Sequence, residues 1–171
     1  MTATRYDRRM YAIMNRREGR ALYATAARRR AVVAVHVVLT VAAAAAWLGT
    51  IHGDGFGTLF AMVSLLLPWM FATGTLNAAT RGLLELRGRM LDERQLTERD
   101  RVRALAHRIT TGVLAAGAAG TGAAGWLGDV RLTGGMVFSA LFTALVLHWL
   151  MPLWVAGLRV QDDPSEDPVR E

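Results

Sequence analysis

Hydrophobic positions along this chain are bunched, not spread. They form four long runs without Asp, Glu, Lys or Arg: Ala31 to Ile51, Phe56 to Thr80, Ile109 to Leu127 and Gly134 to Leu158. None has the alternation of a half-buried strand or the single apolar stripe of a water-facing helix. A helix needs about 20 such residues to cross a ~30 Å hydrocarbon core. Inside that core only helices and closed barrels satisfy their own backbone. The pattern therefore predicts an all-α integral membrane four-helix bundle. The short breaks after runs one and three make it two hairpins.

The polar segments complete the layout. Residues 1–30 form a basic segment, 31–158 the transmembrane domain with a helical loop over 81–108, and 159–171 an acidic tail that reads as disordered. In the loop, Leu83, Leu86 and Met90 share one helical face, and Val102, Leu105 and Ile109 share another. The first set extends span two to about Met90. Asp92 with Gln95, and Thr97 with Asp100, have capping-box spacing, so a second helix starts at one of them and leads into span three. Glu85 with Arg89, Arg94 with Glu98, and Asp100 with Arg103 are spaced for ion pairs along a helix. The first 30 residues alternate arginines with Tyr6, Met10, Tyr11, Ile13, Met14, Leu22 and Tyr23. That mixture suits an interfacial helix on anionic lipid headgroups.

Charge sets the orientation. Nine arginines precede the first span, eight lie between the second and third, and the two other turns contain Arg131 alone. A basic excess marks the cytoplasmic side, so both termini are expected there. The first span starts too far into the chain for a cleavable signal peptide. Every Lys-or-Arg position is arginine, and Ala and Gly are abundant, which points to a GC-rich bacterial genome and the bacterial inner membrane. The arginines flank spans, so topology accounts for them and nucleic acid is not an expected partner. Trp47, Trp126 and Trp154 fall near span ends, as an aromatic belt requires.

Two features concern packing. Ala44-Ala45-Ala46-Trp47-Leu48-Gly49 is echoed by Ala123-Ala124-Gly125-Trp126-Leu127-Gly128. Each returning span then has a proline beside tryptophan, Pro68-Trp69 and Pro152-Leu153-Trp154. A duplicated hairpin and a chance match of Ala-rich sequence both fit. Gly112, Ala116, Gly120, Ala124 and Gly128 form a small-residue stripe on span three. Such a stripe lets helix backbones approach closely and places this span centrally or at a dimer interface. Pro68 and Pro152 free carbonyls for which Thr73 and Thr75 are candidate partners, and they mark kinks or hinges.

Little in the chain suggests chemistry. Without cysteine there is no disulfide, thiolate zinc site or iron–sulfur cluster. No nucleophile elbow, zincin motif or P-loop occurs, and no carboxylate pair lies within a span. His52, Asp54 and Asp129 sit in turns without a metal-binding pattern, so no metal is expected. His36 and His148, on two different spans, could ligate haem or could each make a helix–helix hydrogen bond. Their depths differ by roughly 7 Å at ~1.5 Å per residue, which favours the second use. No cofactor is therefore expected.

Asp92-Glu93-Arg94, followed by Arg101, Ala104, Ala106 and a third span, resembles the D-E-R segment of small multi-span bacterial and archaeal membrane proteins of unknown function. The resemblance covers about 20 residues and implies the same topology. On the arginine-rich cytoplasmic side, Asp92, Glu93, Arg94 and Arg101 are the candidates for a cytoplasmic interaction. The leading expectation is a non-catalytic accessory or regulatory membrane protein, with a protein partner or as a homo-oligomer. A small homo-oligomeric transporter or channel is the alternative, and a haem- or quinone-linked redox protein the third reading.

Overall fold

The computed structural model describes residues 4–14, 19–53, 55–128 and 133–160. Among these every regular element is helical: α1 Arg5–Met14, α2 Arg20–Tyr23, α3 Ala26–His52, α4 Phe56–Ala79, a 3₁₀ turn Gly88–Met90, α5 Glu93–Leu127 and α6 Gly134–Arg159. Three helices are long and apolar enough to cross a membrane: α3, α4 and α6. The fourth expected span is continuous helix within α5, but it falls short on apolarity. Its residues after Ile109 are dominated by Gly, Ala and Thr, which contribute little to membrane transfer.

Local chemistry sets most boundaries. Thr25 caps α3, its hydroxyl accepting from the Arg28 amide. At the other end Gly53, at φ 97°, closes the helix, and Gly55, at φ 84°, opens the chain into α4. Both conformations favour glycine, so the α3–α4 hairpin turn is written into Gly-x-Gly. The Asp92 carboxylate accepts from the Gln95 amide at 2.7 Å and the Gln95 side chain accepts from the Asp92 amide at 3.0 Å. That capping box starts α5 at the first of the two expected positions. Thr97 lies inside the helix and donates to the Glu93 carbonyl.

Span two does not extend to Met90. α4 stops at Ala79, where Arg81 takes φ 52° and Gly82 φ 71°. The Gly82 amide then donates to the Asn77 carbonyl at 2.9 Å and the Arg81 amide to Ala78 at 3.0 Å. This is a Schellman termination, which satisfies the last carbonyls by reversing the chain. Leu83, Leu86 and Leu91 still become buried, but from a compact turn. A Cβ on Gly82 would lie 2.9 Å from the Met14 Cγ, so the close seat of α1 also requires glycine there.

The long helices pack unevenly. α3 and α4 run together along their length, α6 lies against both, and α5 leans chiefly on α6. The apolar core, with Val33, Leu76, Leu83, Val102, Ala106, Leu150 and Trp154 to Ala156, sits at the arginine-rich end. Gly157 brings α6 close to two neighbours: a Cβ there would lie 3.0 Å from Val33 and 3.1 Å from Leu76. At the far end Trp47 of α3 meets Phe142 and Phe138 of α6, at ring separations of 4.6 and 5.9 Å.

Candidate functional site

The polar centre of the molecule is His36. Its side chain is fully buried, on the α3 face that meets both α4 and α6. The Trp154 indole N–H donates to Nδ1 at 2.8 Å. An indole nitrogen can only donate, so Nδ1 must be an acceptor and the ring proton must sit on Nε2. Nε2 then donates to the Thr73 hydroxyl at 2.8 Å. Thr73 in turn donates to the Trp69 carbonyl, Trp69 Nε1 donates to the Thr40 hydroxyl, and Thr40 donates to the His36 carbonyl. Five hydrogen bonds thus join three helices, and every donor finds an acceptor. The Trp69 ring lies 5.1 Å from the imidazole and the Trp154 ring 6.1 Å, the latter edge-on. A satisfied buried network of this kind fixes one packing arrangement.

Two sequence expectations change here. Trp154 is not a belt residue: it is buried, with its N–H turned inward to His36. A donor within reach of an acceptor in an apolar core is better satisfied there than left unpaired. Thr73 and Thr75 do not serve the carbonyls freed by the prolines. Each donates one turn back on its own helix, to Trp69 and to Phe71. α4 and α6 continue through Pro68 and Pro152, and the tryptophan that follows each proline helps to frame the His36 site.

His148 is not brought into this network. It lies exposed on α6, and its ring neighbour is His107 of α5, 6.5 Å away and perpendicular. Both nitrogens of His36 are already engaged, one as donor and one as acceptor. Among the described residues no group of three or more His, Cys, Asp or Glu is placed to hold a metal. Asp54, Asp129 and the side chain of His52 lie outside the described residues.

The small-residue stripe is not central. Every residue from Thr111 to Gly128 is exposed, including Gly112, Ala116, Gly120, Ala124 and Gly128. A Cβ on Gly112, Gly117, Gly120, Gly122 or Gly125 would meet nothing within 4 Å. The stripe could be placed centrally only if another helix of this chain covered it, and α5 meets α6 through other residues, among them His107 against His148 and Glu98 with Arg159.

Sequence reasoning missed a contact at the basic end. Asp7 is buried, although it sits in a tail rich in arginine. Its carboxylate accepts from the Thr4 amide at 2.8 Å and the Thr4 hydroxyl at 2.7 Å, and it pairs with Arg89 at 2.6 Å and Arg87 at 3.7 Å. The Arg87 guanidinium also stands 5.6 Å over the Tyr6 ring. These contacts fasten α1 to the turn before α5. The Thr4 hydrogen bonds first, and then Arg89, hold the Asp7 carboxyl below the usual carboxylate range against the opposing effect of burial. The signal was present as Thr4-x-x-Asp7, the spacing of a capping box.

The expected in-helix ion pairs give way to longer-range ones: Arg89 pairs with Asp7, and Glu98 with Arg159 of α6 at 2.8 Å. Asp92, Glu93, Arg94 and Arg101 are all exposed on the first turns of α5, where Asp92 also serves as cap. Comparison with protein-family models, with curated proteins and with solved structures gives no match to this chain.

Proposed function

We propose that this chain is a non-catalytic accessory or regulatory protein of the bacterial inner membrane, and that it docks a helix of another membrane protein against α5. The observation that carries this reading is the open face of α5. Thr111 to Gly128 is the least apolar of the four runs and also the most exposed. A helix of this composition gains little from lipid on all sides. It gains more from a neighbour that approaches its glycines closely.

In this reading the segment is the third of four spans, and the arginine-rich ends of the hairpins face the cytoplasm with both termini. The distribution of arginine supports that orientation. The resemblance around Asp92-Glu93-Arg94 agrees with the topology. The exposed Asp92, Glu93, Arg94 and Arg101 then lie on the cytoplasmic side, and α1, with its exposed Tyr6, Tyr11 and Ile13 among arginines, rests on anionic headgroups. The duplicated hairpin belongs to this reading too, with unequal roles: α6 of the second hairpin packs with the first hairpin into the core, while α5 presents the docking face.

The test is a mild-detergent pull-down of the tagged protein from its own membranes, with mass spectrometry and a visible spectrum of the eluate. A stoichiometric membrane protein lost from the eluate of Gly120→Leu is the expected result. A colourless homo-oligomer with no other protein would overturn it. That outcome would favour a small homo-oligomeric transporter, since a small-residue face is also complementary to its own copy.

A further inference from the structure

The His36 network holds the bundle closed in one protonation state only. Nδ1 accepts from Trp154 and Nε2 donates to Thr73. A second proton on the ring would make Nδ1 a donor facing an indole that can only donate. No rotation repairs this, because the ring would then need two acceptors and Trp154 offers none. The groups that face the imidazole are Thr73 and Trp69 from α4 and Trp154 from α6, with Thr40 on its own helix, and none is charged. The charged groups on these helices lie toward the basic end. Arg29 of α3, two turns away, donates to the Val160 and Tyr23 carbonyls, and Arg159 of α6 pairs with Glu98. The other imidazoles, His107 and His148, face each other between α5 and α6.

We propose that His36 is a proton-operated clasp: the neutral ring locks α6 to α3 and α4, and a protonated ring releases it. The ring has no exposed surface, so a proton reaches it only when α6 has moved off. Acid therefore captures an open conformer that the neutral molecule visits briefly. The sign follows from the bonds. They count in full while the ring is neutral and are lost as pH falls. The device does not depend on the docking face of α5.

The full chain has no cysteine, so two introduced ones report without ambiguity. Ala27→Cys on α3 and Leu158→Cys on α6 are both at exposed positions near the ends that the clasp joins. With spin labels at both and the protein in lipid nanodiscs, dipolar broadening should fall by about half between about pH 8 and about pH 5, reversibly, a window that spans imidazole and stays above carboxylates. His36→Gln keeps an acceptor and a donor but cannot titrate, and its broadening should stay constant over that window. If His36→Gln does not fold, Trp154→Phe takes its place. It removes the conflicting donor and should blunt the acid response at least two-fold. Histidine ¹⁵N spectra at neutral pH should show His36 protonated at Nε2 alone. Broadening unchanged by acid in the wild type, variants that respond in parallel with it, or a ring protonated at Nδ1 would each overturn the proposal.

Discussion

At the scale of single residues, the buried polar groups of this chain act as fasteners between distant segments. Asp7 shows it at the basic end. Its carboxylate joins the cap of α1 to Arg89, some eighty positions along. Asp7→Asn keeps the shape and removes the charge, so the Arg89 pair weakens and α1 lifts from the turn that includes Gly82. Trypsin should then cut at Arg8 or Arg9 several-fold faster than in the wild type, while the long helices stay protected. Acid should mimic the substitution. Because the folded carboxyl titrates below its ordinary value of 3.8, the attachment is complete above that value and is lost as pH falls through the lower, folded one. An acid-stable protease such as pepsin, used at about pH 4 and about pH 2, reads this directly. Thr4-x-x-Asp7 was legible as a cap. That the same carboxylate also receives an arginine from beyond α4 was not, because spacing encodes only what lies within a turn or two.

Among elements, the ends were more legible than the partners. The Asp92 capping box was read from four residues and is made as expected. Asp92→Ala removes one side of it and should cost about 1 kcal/mol. Hydrogen exchange at the Gln95 and Leu96 amides should quicken about five-fold while the α5 amides beyond Thr110 are unchanged. The end of α4 departs from the sequence pattern for a physical reason. Leu83, Leu86 and Met90 have helical spacing, and that spacing also suits a tight turn which buries leucines from two sides. The deciding residues were Arg81 and Gly82, which take the left-handed conformation. Arginine gives no sequence warning of this, and Gly82 gives only half of one. The approach of α6 to Val33 and Leu76 was likewise invisible, since Gly157 reads as one more glycine in an apolar run. Gly157→Leu should overpack that contact, cost about 1–3 kcal/mol and lower the thermal midpoint in detergent by several degrees.

For the molecule as a whole, length and hydropathy carried the class of fold, and three of the four runs appear as helices apolar enough to span a membrane. What the pattern did not carry was which run sits inside. Small residues read as a packing stripe, but a stripe does not say whether its partner belongs to the same chain. The His36 site shows the same limit: a helix–helix hydrogen bond is the use its depth favours, but the partner, Trp154, is 118 positions away and no spacing names it. The proposed four-span topology is open to a direct check. Single cysteines at Leu84 and at Leu127 should react with an impermeant thiol reagent from opposite faces of sealed vesicles, with Leu127 on the outer face. Labelling of both from one side would mean that α5 does not cross.

The continuity of α5 has a mechanical consequence. From Glu93 to Leu127 it is one unbroken helix of 35 residues, about 52 Å long at ~1.5 Å per residue. Its first half is braced by the Glu98–Arg159 pair and by Val102 and Ala106 in the core, while its second half stands free. A stiff rod held at one end is a lever. A tilt of about 10° where the braced half ends sweeps the far tip, near Trp126, by about 4 Å, and no hinge is needed along the way.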